Sequence, residues 1–95
     1  MDEKTVERKL VMEVKKEGGL CPKFVSPGLN GVPDRLVLLP DGKFGFVEVK
    51  RPGEKPRKQQ VRRHLQLQSL GYKVFVLDDP RDIHIVLKKI KGGKE

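Results

Sequence analysis

Cysteine is almost missing from this chain. A single Cys21 among 95 residues excludes an internal disulfide and any zinc site built on cysteines. It reads as a small buried apolar residue. Long apolar runs are missing as well: no stretch approaches membrane-spanning length, and no signal-peptide pattern opens the sequence. The expectation is an intracellular protein with no membrane partner. Internal repeats and low-complexity stretches are also absent. Acidic residues are the minority, 13 Asp and Glu against 21 Lys and Arg, for a formal charge of +8. That excess bears on partners and solubility rather than on fold, and nucleic acid is the default partner of a small basic domain.

The length fits one domain spanning 1–95, with a hydrophobic fraction of 36% that suffices for one modest core. A domain of this size buries only about 60–65% of the surface its unfolded chain exposes, so dimerisation would help it.

Periodicity divides the chain. Asp2 to Glu17 is helical, with Val6, Leu10, Val11 and Val14 on one face, and Gly18-Gly19 ends it. Leu20 to Val25 reads as a first strand. Ser26-Pro27-Gly28-Leu29-Asn30-Gly31 is a loop. A hairpin follows, with Leu36-Val37-Leu38-Leu39 on one arm and Phe44 to Lys50 on the other. Pro40-Asp41-Gly42-Lys43 turns between them. Arg51 to Pro56 is a basic connection. Arg57 to Leu70 is a second helix stopped by Gly71, and Tyr72 to Leu77 another strand. Asp79-Pro80 supplies an N-cap and first-turn proline for a last helix to about Ile90. Residues 91–95 read as a flexible tail. The order is α-β-β-β-α-β-α, an α/β fold with a mixed sheet flanked by helices.

Pro33-Asp34, followed by Glu48-Val49-Lys50, carries the chemistry. The hairpin brings two carboxylates and a lysine to its open end. Carboxylates hold a hard cation such as Mg²⁺, and a neighbouring lysine orients water or neutralises phosphate charge. Strand alternation puts Phe44, Phe46, Glu48 and Lys50 on one face, Glu48 and Lys50 about 7 Å apart. A tight turn centred on Asp41-Gly42 sets position 34 opposite 49. Asp34 would then meet Glu48 only through a splayed or bulged hairpin.

Two further polar residues fall on helix faces expected to be buried. Glu7 shares the stripe of Leu10, Val11 and Val14. As a charge there it needs a partner, which could be a metal ion, Lys50 or a surface lysine. Gln60 and His64 lean toward the sheet, Gln60 able to orient a water or a phosphate oxygen or to serve as a helix-edge amide. His64 reads as a core histidine or a site residue. His84, on the last helix, lacks metal-ligand spacing. Arg51, Lys55, Arg57, Lys58, Arg62 and Arg63 form either a phosphate-tracking surface or an ordinary solvated face.

Glu7, Gly31-Val32-Pro33-Asp34, Glu48-Val49-Lys50, and Gln60 followed by Leu67 and Gly71 together resemble the VRR-NUC domain of the PD-(D/E)xK nuclease superfamily. Lys23-Phe24 and Ser26-Pro27-Gly28 fit that family's approach to its Pro-Asp. The likeness spans nearly the whole chain, as in a minimal stand-alone member from a phage or bacterium. It implies a restriction-endonuclease-like core and a cytoplasmic setting in a bacterial cell or phage-infected host. It implies that Asp34 and Glu48 ligate Mg²⁺ or Mn²⁺, with the Val49 backbone carbonyl as a further ligand. Lys50 would position the attacking water and stabilise the phosphorane. Glu7 would bind or orient the metal through water, and Gln60 would hold Lys50 or the water. A homodimer acting on branched DNA such as four-way (Holliday) junctions is implied, leaving a 5′-phosphate and a 3′-hydroxyl.

Two other functions compete with such an endonuclease. One is a non-catalytic nucleic-acid-binding or assembly subunit that kept the fold. The other is the nuclease subunit of a larger complex. Intact Asp34, Glu48 and Lys50 favour an enzyme over a binder, because carboxylates repel phosphate.

Overall fold

The first helix, α1 (Glu3–Lys16), starts where Asp2 accepts hydrogen bonds from the Thr5 backbone N–H at 2.9 Å and the Thr5 hydroxyl at 2.8 Å. The structure, a computed structural model, describes residues 1–92. After α1 come β1 (Arg35–Leu39), a 3₁₀ turn (Pro40–Gly42), β2 (Lys43–Val49), α2 (Lys58–Ser69) and β3 (Val74–Leu77). A second 3₁₀ turn (Pro80–Asp82) precedes α3 (Ile83–Lys91). Lys91 closes α3 and Gly92 caps it, so neither belongs to a frayed tail. Positions 93–95 of the expected tail lie outside the described residues.

The three strands form a mixed sheet in the order β1-β2-β3, β1 antiparallel and β3 parallel to β2. The strand expected over Leu20–Val25 is reduced to two isolated bridges on the β1 edge, Leu20 to Leu38 and Lys23 to Arg35. The reason is Pro22. Leu20 and Leu38 exchange both backbone hydrogen bonds at 2.9 Å, but two residues on, Leu36 donates to the Pro22 carbonyl and Pro22 has no N–H to return.

The hairpin register differs by one from expectation. Asp41 (φ 65°) and Gly42 (φ 71°) both take left-handed backbone, which inserts a full three-residue turn between Leu39 and Lys43. Arg35 then pairs with Val47, and the same register carried one residue back sets Asp34 opposite Glu48. No bulge is needed.

This register gives the sheet two chemically distinct faces. Odd positions of all three strands, among them Val37, Leu39, Val47, Val49 and Leu77, point into the core with Val6, Leu10 and Val14 of α1. Ile83, Val86, Leu87 and Ile90 of α3 complete that core, each burial worth about 1.5–3 kcal/mol. Gly45 on β2 lets α3 close in: a Cβ there would stand 2.7 Å from Ile90. Even positions face the other way, toward α2, whose only buried residue is His64. That face holds four of the five aromatic rings. Phe46 lies 5.7 Å from Phe24, 4.8 Å from Phe44 and 6.0 Å from Tyr72.

Candidate active site

Where the even face meets the open end of the hairpin, a cavity of about 430 Å³ collects four carboxylates, Glu3, Asp34, Glu48 and Glu54. Lys50, Lys55, Arg57 and Gln60 complete its lining. A chain with 21 cationic and 13 acidic residues thus concentrates four of its acids in one place. A larger cavity of about 830 Å³ shares none of these lining residues; its two carboxylates are Glu13 and Asp79, and Asp79 is paired with Arg81.

Glu48 is the centre of the arrangement. Its side chain is 1% exposed, because β2 is the middle strand and α2 crosses over it. Oε2 accepts from Gln60 Nε2 at 2.7 Å and sits 3.3 Å from the Lys50 ammonium. Among the described residues Oε1 has no hydrogen-bond partner, and neither has His64 Nε2, 3.8 Å away. Burial first, then the Asp34 carboxylate, push the Glu48 pKa up to about 7, against the opposing pull of Lys50 and Gln60. Burial lowers the pKa of His64, so the imidazole is held neutral beside Glu48.

Asp34 accepts from the Val49 backbone N–H through Oδ2 at 2.9 Å. The next N–H along, that of Lys50, faces β3 and donates to the Leu77 carbonyl at 2.9 Å. Peptide groups alternate along a strand, so the Val49 carbonyl opens on the Asp34 side. Gln60 owes its orientation to α2. Its Oε1 accepts from the Arg57 N–H at 2.9 Å, which leaves the amide nitrogen to face Glu48.

Several expectations need correction. Gln60, expected to hold Lys50 or the water, donates its amide nitrogen to Glu48. Glu7 does not reach the cavity. Its carboxylate takes Arg35 Nε at 2.9 Å, and Arg35 also donates to the Cys21 carbonyl at 2.7 Å, so the pair ties α1, β1 and the edge segment together. Glu3, one turn earlier, is the α1 residue that lines the cavity. Burial and then the Asp34 charge raise its pKa. The i, i+4 spacing of Glu3 and Glu7 held the signal for Glu3, whereas Glu54, in an irregular connection, had none.

The basic residues divide. Lys55, Arg57, Lys58 and Arg62 are exposed. Arg51 is exposed and reaches Glu54 only at 3.9 Å. Arg63 is half-buried and committed elsewhere: it donates to the Asn30 carbonyl at 2.7 Å and to Gln66. It clamps the loop before Pro33 to α2 instead of facing solvent.

Among the described residues no group of three His, Cys, Asp or Glu side chains is arranged as a complete metal cage. The donors are nevertheless suited to a hard cation that keeps several waters. Two carboxylates press on each other, one buried carboxylate oxygen is unpartnered, and a backbone carbonyl opens alongside. Among the described residues no helix is long and apolar enough to cross a membrane.

Similarity to known proteins points the same way. No family model matches the chain. A curated protein of Acyrthosiphon pisum secondary endosymbiont phage 1, named "Putative nuclease p44", is 53% identical over 88 residues, 93% of this chain and 94% of that protein. A solved structure of a VRR-NUC domain superposes with a TM-score of 0.84 and 32% identity, covering 90% of this chain and 94% of that one.

Proposed function

The chain belongs to the VRR-NUC family of nuclease domains, and from that premise we propose that it is a Mg²⁺- or Mn²⁺-dependent endonuclease that hydrolyses phosphodiester bonds in branched DNA, four-way junctions included. The observation that carries this reading is the juxtaposition of Asp34, Glu48 and Lys50 at the open end of the hairpin. Asp34 and Glu48, with the Val49 carbonyl, hold the cation. When bound, it supplies the Lewis acidity that lowers the pKa of a water and offsets charge on the phosphoryl group.

The chain's own groups do the rest. Lys50 orients the attacking water and neutralises charge on the phosphoryl oxygens. Gln60 fixes the Glu48 carboxylate so that its free oxygen stays available. Arg57 and Lys55, at the cavity rim, hold the flanking phosphates. In-line attack of the water on phosphorus, opposite the 3′-oxygen, would break the P–O3′ bond and leave a 5′-phosphate and, once that oxygen takes a proton from solvent, a 3′-hydroxyl.

The working unit in this reading is a two-fold dimer, which supplies two symmetric cuts to a junction. The contact would not use Ile83, Val86, Leu87 and Ile90 of α3, which are all buried within one chain, although Ile85 of the same helix is exposed. Val61 and Leu65 on α2 and Val76 on the free edge strand β3 remain exposed.

The deciding experiment is a cleavage assay on junction, flap, single-stranded and linear duplex DNA, with Mg²⁺, Mn²⁺ or EDTA. Cleavage of the junction with metal and none in EDTA is expected. Undiminished cutting in EDTA would overturn metal dependence, and binding without cutting under every condition would favour a non-catalytic subunit.

A further inference from the structure

A second cavity, of about 410 Å³, adjoins the carboxylate cavity. Arg57 and Gln60 line both, so the two spaces share a wall. The chemistry on the far side is different. Among the described residues no carboxylate lines this cavity; Phe24, Val25 and Leu29 supply apolar surface, and Asn30 a hydrogen-bonding amide. Val25 is 76% exposed and Leu29 41%, both uncovered apolar side chains within reach of solvent. The walls are held in place. Arg63 grips the Asn30 carbonyl, and Gly31 lies so close to α2 that a Cβ would stand 2.7 Å from the Gln59 carbonyl. The volume falls in the range of pre-formed ligand pockets, about 300–1,000 Å³.

We propose that this cavity is a nucleotide subsite: it receives the base next to the phosphate held in the carboxylate cavity. Phe24 and Leu29 contact the base, the Asn30 amide hydrogen-bonds its edge, and Arg57 meets the phosphate between the two spaces. The proposal rests on the nuclease reading and adds a physical source of selectivity. A base stacked in a duplex must be unstacked before it can enter, whereas a base already unpaired at a branch or bulge enters without that cost. An amide both donates and accepts, so it serves any base edge without demanding a particular sequence.

The test uses a duplex with one unpaired adenine and the same duplex with an abasic nucleotide at that position. Affinity is read by fluorescence anisotropy in Ca²⁺, and cleavage of the same pair is followed in Mg²⁺. Wild-type protein should bind the base-bearing duplex about tenfold more tightly. That ratio should fall to about one in Leu29→Ala/Asn30→Ala, whose circular dichroism should match wild type because both side chains are exposed. Equal affinity for the two duplexes in wild type overturns the subsite, even if both are cut. An unchanged ratio in the double variant overturns it too. A tenfold ratio that collapses in the variant, with neither duplex cut, upholds the subsite and rejects the nuclease reading.

Discussion

At the residue scale, the two carboxylates differ in how they are held. Asp34 rests on a backbone N–H at the strand end, while Glu48 is buried with one oxygen doubly engaged and the other free. Asp34→Asn and Glu48→Gln nearly preserve volume. Each should abolish metal-dependent cleavage while circular dichroism stays that of the wild type; near-normal rates in either variant would remove the assignment. Glu48 also makes a pH prediction. Its pKa in the fold stands at about 7, above the ordinary 4.5, so the folded protein holds a proton there that the unfolded chain releases. The resulting stability is fully present below pH 4.5 and lost as pH rises through 7. Thermal melts in EDTA should therefore show wild type losing stability relative to Glu48→Gln across that window. Added Mg²⁺ should restore wild type above pH 7 by drawing on the ionised carboxylate.

At the element scale, the loop before Pro33 is positioned by α2 rather than by its own turns. Gly31 has φ 78° and lies where a Cβ would meet the Gln59 carbonyl, and Arg63 holds the neighbouring Asn30. Gly31→Ala adds both a strained backbone and a clash, and should cost about 1–3 kcal/mol in chemical denaturation. Arg63→Ala should act on the same loop, lowering the melting temperature more than it weakens the dependence of DNA binding on salt. A purely electrostatic effect of Arg63 would contradict this placement. The α2 helix is therefore an architectural partner of the site. Its Gln60 steadies Glu48, its Arg63 steadies the loop, and its Lys58 and Arg62 stay free for phosphates.

At the scale of the whole molecule, four of the 13 acids meet in one cavity, and Arg51, Lys55, Arg57, Lys58 and Arg62 stand around it and along α2. If those five cations each neutralise a phosphate, log affinity should fall against log salt with a slope near −4.5, and Arg62→Ala should flatten it by about 1. Binding that ignores salt would reject this surface. The dimer is tested by light scattering, which should give about twice the chain mass of 10.8 kDa. Val61→Glu or Leu65→Glu should return the mass to that of one chain, because a charge cannot be buried unpaired in a contact. A single-chain mass in the wild type, persisting on junction DNA, would favour a monomeric nuclease.

What the sequence by itself determined is what depends on neighbours a few residues apart. Periodicity located the three helices and the three sheet strands, and alternation set Glu48 and Lys50 on one face because strand geometry repeats every second residue. The Pro33-Asp34 and Glu48-Val49-Lys50 pairing was legible for the same reason, being two strand ends joined by one short turn. What only the tertiary structure decided depends on the backbone geometry that the turn adopts and on contacts between distant elements. The left-handed backbone at Asp41 shifted the register by one and put Asp34 opposite Glu48. Pro22 withheld one hydrogen bond and left an edge segment where the local composition reads as a strand. Glu3 and Glu7 are indistinguishable on a helical wheel, and Arg35, 28 residues after Glu7, chose between them by claiming Glu7. A local pattern fixes which face a side chain lies on, but the partner it meets there is supplied by another part of the chain.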